Sequence, residues 1–392
     1  MHDFMLNSIL NSRAKRLEWS PVEVVSRIIG ERKNVINLAG GSPDPRLIPI
    51  REIKEAVNEA IEEYGTSTVG YPGAGGLKEL RKEVRIFLNK MGIKVNGKEI
   101  IITAGAQHAM NIIANILLSE QDFFLAENPT FVETFQALKF YTPNYKAVTL
   151  DDQGLVVDDV AKILKSTPKP KIVYTIPTAH NPTGISLSED RRRYLIELCS
   201  THNVLVIEDD PYRFIIGKPP TALINYDKNN IVLYVGSFSK IIAPGLRVGY
   251  VLAPRYLSEK LEQIEQLDFA TSTLSMYIVL KLLRKNVIEK RLPMLIKAYQ
   301  DKMKILLNAL EEFMPPYVDW TKPIGGFFVL LKAKGRNLAK LLDRAIREGV
   351  AYVPAHLFYI ENPDYSTARL SIGPVREEDI TEGVRRLAKV LL

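Results

Sequence analysis

The fold is decided by residues 235–250, which read Val-Gly-Ser-Phe-Ser-Lys-Ile-Ile-Ala-Pro-Gly-Leu-Arg-Val-Gly-Tyr. The β-branched, apolar run that ends at Val235 predicts a buried strand that stops at Gly236. A second apolar segment, Val248–Leu252, predicts another strand. Two serines, one lysine and one arginine lie in the turn between them. A lysine among small polar residues at a strand end is placed to meet a ligand rather than to pack.

The polar residues of this turn predict a phosphate site beside a reactive amine. Ser237 and Ser239 offer hydroxyl donors, and Arg247 offers a bidentate fork. Lys240 beside such a site suggests an amine that bonds covalently to a phosphorylated aldehyde, which means pyridoxal phosphate. The rest of the chain must then supply the other contacts of that cofactor.

Length and composition predict a soluble, two-domain protein. The 392 residues exceed one ordinary hydrophobic core, and the content of 46% hydrophobic and 25% charged residues is typical of a globular protein. No apolar run is long enough to span a bilayer, and the first residues lack the pattern of an export signal. We therefore expect a cytoplasmic protein without membrane attachment. The single cysteine, Cys199, is expected in the core.

The formal net charge of +7 raises the question of a nucleic-acid partner. Lys and Arg residues alternate with Asp and Glu along nearly every predicted helix, and the tightest cluster, Arg191–Arg193, directly follows Glu189 and Asp190. This pattern is typical of solvated helix faces, so we expect no nucleic-acid partner. The five histidines and one cysteine show no metal-ligand spacing, so we expect no metal site.

The middle of the chain alternates between apolar strands and helices, which predicts an α/β fold with a mostly parallel, seven-stranded sheet between helices. The predicted strands are Glu99–Thr103, Asp122–Ala126, Lys146–Thr149, Lys171–Ile176, Val204–Glu208, Ile231–Val235 and Val248–Leu252. In such a sheet, ligands bind at the carboxyl ends of the strands.

After about Met276 the pattern changes to a smaller α+β unit. A long helical region, interrupted only at Pro293, is expected to run to about Phe313, and the strands Gly325–Leu331 and Val350–Val353 follow. The predicted division is an N-terminal arm with part of the small domain (1–48), a large cofactor-binding domain (49–285) and a small C-terminal domain (286–392).

Four motifs together resemble the class I/II aminotransferases, which are fold-type I pyridoxal-phosphate enzymes. Ser237–Lys240 with Arg247 resembles their cofactor-lysine motif, and His180–Gly184 resembles their asparagine loop. Glu208–Tyr212 is similar to their aspartate and tyrosine segment, and Ala368–Ser371 is similar to their carboxylate-binding arginine segment. The motifs occur in the family's order from about residue 35 to the C-terminus.

The resemblance implies a role for each ring contact of the cofactor. Lys240 would hold the cofactor and act as base and acid for the 1,3-proton shift. Asp209 would pair with the pyridine nitrogen, although its neighbour Asp210 competes for that role. Tyr212 and Asn181 would hydrogen-bond the phenolic oxygen.

The resemblance also implies the phosphate, stacking and subunit contacts. The phosphate would be held by Ser237, Ser239, Arg247 and the backbone amides of Ala106 and Gln107, which open a helix after a strand. Phe131 would stack on the ring. Tyr71, with Tyr64 as the alternative, would reach the phosphate of a partner subunit, which implies a homodimer with shared sites.

The resemblance implies small-molecule substrates, namely amino acids and 2-oxo acids. Arg369 would bind the α-carboxylate as a fork, with the Gly41 backbone and Asn181 completing that site. Residues 38–45 are similar to the 2-aminoadipate, kynurenine and aromatic aminotransferase branch. We therefore predict broad, aromatic or 2-aminoadipate-like donors, with 2-oxoglutarate as the acceptor.

The N-terminal helix departs from that branch. Where the branch has an arginine for distal carboxylates, this chain has Glu23, which puts a dicarboxylate preference through that residue in doubt. Arg13, Arg16 and Arg27 are nearby alternatives.

Two other functions remain open on the sequence. One is another fold-type I enzyme, such as a carbon–sulfur lyase or decarboxylase. The other is a regulator that uses this domain as a sensor, for which the roughly 35 residues before Ile36 would be too short to hold a DNA-binding domain.

Overall fold

The computed structural model describes residues 8–30, 32, 34–268 and 271–392. Its strands are β1 Ile36–Asn37, β2 Lys98–Thr103, β3 Phe123–Asn128, β4 Asn144–Asp151, β5 Gly154–Leu155, β6 Ile172–Thr175, β7 Leu205–Asp209, β8 Val232–Ser237, β9 Gly249–Pro254, β10 Val318–Trp320, β11 Phe328–Ala333, β12 Val350–Ala351, β13 Val353–Pro354 and β14 Thr367–Ser371. Its helices are α1 Pro21–Gly30, α2 Ile50–Tyr64, α3 Lys78–Lys90, α4 Ala106–Leu117, α5 Val132–Tyr141, α6 Val157–Leu164, α7 Glu189–Thr201, α8 Arg255–Glu265, α9 Thr273–Arg284, α10 Val287–Phe313, α11 Leu338–Arg347 and α12 Glu377–Leu391.

The large sheet has the order β2-β9-β8-β7-β6-β3-β4-β5. Strands β8, β7, β6, β3 and β4 run parallel, whereas β9 is antiparallel to both of its neighbours. The predicted α/β fold with a mostly parallel sheet is confirmed. The sheet has one strand more than predicted, because the two-residue β5 is too short to show a strand periodicity.

Both faces of this sheet are covered, because consecutive residues of its strands are apolar and point to opposite faces. In β7 and β8, Val206 and Val232 pack into one core, while Ile207 and Leu233 pack into the other. Helices α3 and α7 contribute to the first core, and α4, α5 and α8 contribute to the second. Cys199 of α7 is buried in the first core, as expected.

A second, antiparallel sheet has the order β10-β11-β14-β13. Strand β1, near the start of the chain, pairs in parallel with β12, with Ile36 opposite Val350. This pairing carries the N-terminal segment to β14, where the amide of Ser371 donates to the carbonyl of Leu38. The domain boundaries at residues 48 and 285 stay predictions.

Three sequence predictions for the C-terminal part were wrong in detail. Helix α10 continues through Pro293, and the helical region breaks instead at Asn286, which has a left-handed backbone. The predicted strand 350–353 is two short strands, because β12 pairs with β1 while β13 pairs with β14. The predicted strand 325–331 begins only at Phe328, after Gly326 adopts a φ of +89°.

Along the described ranges, no helix is both long and apolar enough to cross a membrane.

Candidate active site

A cavity of about 410 Å³ lies at the carboxyl ends of the central parallel strands. It brings together six residues predicted from the sequence as site residues. Its lining consists of Val22, Glu23, Ser26, Ile29, Asn37, Ala39, Gly40, Gly41, Ser42, Phe131, Glu133, Asn181, Tyr212, Lys240, Arg369 and Pro374. A larger cleft of about 950 Å³, beside Trp320 of β10, contains none of the predicted site residues.

Lys240 lies three residues beyond the end of β8 and is half-buried. Its Nζ donates a 2.8 Å hydrogen bond to the carbonyl oxygen of Gly41 and lies 5.8 Å from the centre of the Tyr212 ring. Burial, together with the positive charges of Arg369 and Arg247, lowers the pKa of Lys240 to about 8. The amine is therefore neutral far more often near neutral pH than an ordinary lysine, which suits a proton acceptor.

Arg369 of β14 is buried, with 2% of its surface exposed. Its Nη1 donates to Asn181 Oδ1 at 3.0 Å, and its Nη2 donates to the carbonyl of Ala39 at 2.7 Å. The rings of Phe328 and Phe358 lie 4.6 and 4.8 Å from its guanidinium carbon. Within the described residues its Nε has no hydrogen-bond partner and no carboxylate forms an ion pair with it. Glu133 acts on this buried charge only from beyond ion-pair distance, so the guanidinium is suited to bind an external carboxylate.

Asp209 ends β7 and is 4% exposed. Its Oδ2 accepts a 2.9 Å hydrogen bond from the hydroxyl of Tyr174, whereas its buried Oδ1 has no partner among the described residues. Burial raises the pKa of Asp209 to about 7. A cationic group that reached Oδ1 would lower this pKa again and make the residue an anion.

The competing acid, Asp210, has a different environment. It is buried and forms an ion pair with Arg213, whose Nη2 also donates to the hydroxyl of Thr178. Among the described residues, Asp209 is therefore the acid of this pair without an ion-pair partner, and it lies three residues before Tyr212.

Tyr212 and Asn181 meet beside Lys240. Tyr212 is buried, and its ring packs edge-on against Phe327 and Phe328 at centroid distances of 5.7 and 5.6 Å. Burial raises the pKa of Tyr212, while its hydrogen bond with Asn181 acts in the opposite direction. The phenol is therefore protonated near neutral pH and can donate to an oxygen anion.

The loop that carries Asn181 is held from both sides. His180 Nδ1 lies 2.9 Å from Thr183 Oγ1, and His180 Nε2 lies 3.1 Å from Glu127 Oε2. Gly184 has a φ of +72°, and a Cβ there would collide with the carbonyl oxygen of Phe328. His180 thus supports the loop from outside the cavity lining.

Strand register brings the predicted phosphate contacts to one place. Gly249 of β9 pairs with Thr103 on one side and with Ser237 on the other. The chain turns into α4 directly after Thr103, so the amides at the start of α4 lie near the serines that follow β8. The hydroxyls of Ser237 and Ser239 are 2.9 Å apart.

Arg247 lies against the same turn. Its Nη2 donates to the carbonyl of Ala104 at 3.0 Å. Gly105 has a φ of +82°, and a Cβ at this position would lie 2.5 Å from Arg247 Nη2, so only glycine leaves room for the guanidinium. The helix that begins at Ala106 presents amides without intrahelical acceptors, which suits an anion. The side chain of Gln107 instead donates to the carbonyl of Glu133 at 2.8 Å.

The predicted partner-subunit tyrosine does not line the cavity of its own chain. Tyr71 is 88% exposed on the loop before α3. Tyr64, the alternative, stacks on Tyr277 at 4.3 Å and accepts a 2.6 Å hydrogen bond from Arg284. Of the two, Tyr71 has its ring on the protein surface.

Helix α1 forms part of the cavity wall. Val22, Ser26 and Ile29 line the cavity from one face of α1, and Glu23 lines it beside them. Arg13, Arg16 and Arg27, the proposed alternatives to an arginine at position 23, do not line it. Arg16 pairs with Glu120 at 3.3 Å instead.

Several residues of the site were not predicted from the sequence. Phe327, Phe328 and Phe358 surround Tyr212 and Arg369 but lie in apolar segments that give no functional signal. Tyr174 had a usable signal, because it is a polar-tipped residue in the strand beside β7. Glu133 reads in the sequence only as an acid in the first turn of a helix.

The chemistry of these groups fits pyridoxal phosphate. Among the described residues, a buried carboxylate oxygen of Asp209 lacks a partner, as a protonated ring nitrogen would require. Hydroxyls, helix-start amides and a guanidinium converge where a phosphate would bind, and an amine of lowered pKa lies beside the cavity. In the part of the chain that the structure covers, no group of His, Cys, Asp and Glu side chains could hold a metal ion.

Comparison with known proteins agrees with this chemistry. Residues 33–387 match the family model described as aminotransferase class I and II. The chain is 35% identical to aromatic-amino-acid aminotransferase 1 of Thermococcus litoralis over 97% of this chain and 93% of that protein. It is 32% identical to 2-aminoadipate transaminase of Thermus thermophilus over 96% and 95% of the two chains. The solved structure of Pyrococcus horikoshii kynurenine aminotransferase, crystallised with PMP, superposes with a TM-score of 0.93 at 35% identity over 98% and 97% of the two chains.

Proposed function

The chain belongs to the class I and II aminotransferases, which depend on pyridoxal phosphate, and we propose that Lys240 is its catalytic amine and Arg369 its substrate-carboxylate site. One observation carries this proposal. Lys240 and Arg369 donate hydrogen bonds to carbonyls two residues apart in one loop, those of Gly41 and Ala39. An amino acid held at Arg369 by its carboxylate would thus lie close to the amine.

Three groups would hold the cofactor ring. The unpartnered Oδ1 of Asp209 would accept a hydrogen bond from the ring nitrogen, and the phenol of Tyr212 and the amide of Asn181 would bind the phenolic oxygen. Phe131 would stack on the ring. When bound, pyridoxal phosphate supplies an aldehyde that takes up the amino group and a ring that withdraws electrons from Cα.

The phosphate would be held by Ser237, Ser239, Arg247 and the backbone amides of Ala106 and Gln107. Hydroxyls and helix-start amides donate hydrogen bonds in fixed directions, and Arg247 adds a positive charge. These contacts would fix the register of the cofactor, so that its reactive carbon stays near Lys240.

Lys240 would move the proton. With a pKa of about 8, the free amine would accept a proton from the substrate Cα and deliver it two bonds away, to the carbon that the cofactor's aldehyde supplies. Arg369 holds the carboxylate as a fork, and the Gly41 backbone and Asn181 complete that contact. The rings of Phe328 and Phe358 shield Arg369 from water, which strengthens its electrostatic hold.

Two features of the assembly follow as proposals. The exposed Tyr71 would reach the phosphate in a second copy of the chain, which makes the protein a homodimer with shared sites. The arm 1–48, the large domain 49–285 and the small domain 286–392 would be its units, and the protein would be cytoplasmic. The acceptor is a 2-oxo acid, for which 2-oxoglutarate stays the prediction from the sequence.

A direct test combines spectroscopy with substitution. The purified protein should show the visible absorbance of covalently held pyridoxal phosphate, and borohydride should fix the cofactor to the peptide that contains Lys240. Adding a donor amino acid should abolish that absorbance, and adding a 2-oxo acid should restore it. Transamination by Lys240→Ala at the wild-type rate would refute the proposed role of this lysine.

A further inference from the structure

The cavity extends beyond Arg369 into a region where a substrate side chain would lie, so the following inference rests on the proposed function. This region is bounded by α1, through Val22, Ser26 and Ile29, and by the start of α5. Val22 and Ile29 are buried and apolar, and they would pack against the methylene stem of a bound side chain.

Glu133, in the first turn of α5, offers an unused hydrogen-bond acceptor here. Its Oε1 accepts a 2.9 Å hydrogen bond from the hydroxyl of Ser20, just before α1. Its Oε2 is buried and has no hydrogen-bond partner among the residues described. Buried polar atoms of native proteins nearly always have partners, so this oxygen indicates a missing donor.

The cations that line the cavity already have a role in the proposed reaction, whereas the acids that line it do not. The lining cations are Lys240 and Arg369, which the reaction and the substrate α-carboxylate would occupy. The lining acids are Glu133, at the start of α5, which interacts electrostatically with Arg369, and Glu23, which is solvent-exposed on α1. The structure as described thus leaves no lining cation for a second carboxylate, whereas two acids remain for a donor or a positive charge.

We propose that this cavity selects amino acids whose long, apolar side chain ends in a hydrogen-bond donor, above all a cation, through Glu133 and Glu23. A second carboxylate is rejected, because it would lie beside two acids with no further cation among the described lining residues to pair with it. The acceptor's side chain occupies the same region. We therefore expect 2-oxoglutarate, the acceptor predicted from the sequence, to be poorer than a 2-oxo acid with one carboxylate, such as pyruvate.

The test compares three donors of similar length: L-lysine, L-norleucine and L-2-aminoadipate. Single-turnover loss of the cofactor absorbance gives kcat/KM for each without any acceptor. We expect lysine to exceed norleucine by at least about tenfold, and norleucine to exceed 2-aminoadipate by a similar factor, since a site built for a donor discriminates strongly. Spectral titration with the unreactive α-methyl analogue of each donor measures its dissociation constant. We expect these constants to rank the three donors in the same order.

The variants separate this role from a structural one. Glu133→Gln keeps an oxygen for Ser20 but removes the charge, so the lysine-to-norleucine ratio should fall at least about tenfold. Glu23→Arg should raise kcat/KM for 2-aminoadipate by at least about tenfold. Glu311→Gln, an exposed acid near the end of α10, is the matched control and should leave all ratios unchanged.

The outcomes test the proposed side-chain selectivity separately from the proposed amino-group transfer. Equal rates for lysine and norleucine in the wild type, or an unchanged ratio in Glu133→Gln, would overturn the inference while leaving amino-group transfer intact. If none of the three donors removes the cofactor absorbance, the proposed function itself would be overturned. If Glu133→Gln unfolds at a lower temperature, Glu23→Gln gives the same comparison without touching the bond to Ser20.

Discussion

Replacement of Arg369 by methionine should selectively remove recognition of the substrate carboxylate. A guanidinium has five N–H donors. In the described part of the chain, two of those of Arg369 are used by Asn181 and Ala39, and its Nε has no partner. Two charge-assisted hydrogen bonds to the substrate would contribute about 3–6 kcal/mol, so kcat/KM should fall about 10²- to 10⁴-fold. Arg369→Lys keeps the charge but loses the fork, and should cost about half as much in free energy.

The assay compares an α-amino acid donor with the amine that lacks its carboxylate. In the wild type the amino acid should react far faster, whereas in Arg369→Met the two donors should approach the same kcat/KM. Arg369 also helps to lower the pKa of Lys240, so the rate of the variant should rise at a higher pH than that of the wild type. An equal fall for both donors would show that the substitution only damages the fold, and would refute the reasoning.

Three further predictions follow from buried or exposed groups. Asp209→Asn should stabilise the cofactor-free protein at pH 8 by up to about 4 kcal/mol, because burial raises the pKa of Asp209 from 3.8 to about 7. The cofactor-free wild type should accordingly lose stability as pH rises from about 4 to 7, and denaturant unfolding of both proteins at pH 5 and pH 8 measures the difference; identical pH dependence would contradict it. Tyr71→Ala and Lys240→Ala should each lower activity, and mixing them under subunit exchange should restore part of it, because a mixed dimer holds one intact site; no recovery despite exchange would exclude Tyr71 as the shared residue. Cys199 should resist iodoacetamide at pH 8, since burial raises the pKa of its thiol to about 12; mass spectrometry should find labelling only at the rate of unfolding, and fast labelling of the folded protein would contradict its burial.

The parts of the site that follow strands were open to prediction from the sequence. Lys240, Asp209 and Asn181 each come shortly after an apolar run, and parallel strands bring their carboxyl ends to one edge. Arg369 was identified by its resemblance to a family motif rather than by this rule. Its place beside Asn181 depends on a contact across 188 residues of sequence, which strand periodicity does not report.

The features that the sequence did not predict depend on tertiary packing. Phe328 and Phe358 lie in ordinary apolar segments, and only the packing of β14 brings them to Arg369. Pro293 removes one backbone donor, but Leu292 and Leu295 beside it are buried and hold α10 together. The segment 350–353 looks like one strand, yet its two halves find different partners. In each case, long-range contacts overrode a local preference.

The loop 39–41 has a consequence for the order in which the protein is made. Its carbonyls meet Lys240 and Arg369, and the contact between Ala39 and Arg369 spans 330 residues of sequence. A ribosome that adds 5–20 residues per second needs about 15–65 s to synthesise that span. The loop must therefore wait for β14, made 330 residues later, before Ala39 has its partner. A nascent chain stalled before β14 should lack the carboxylate site even if its large sheet has already formed.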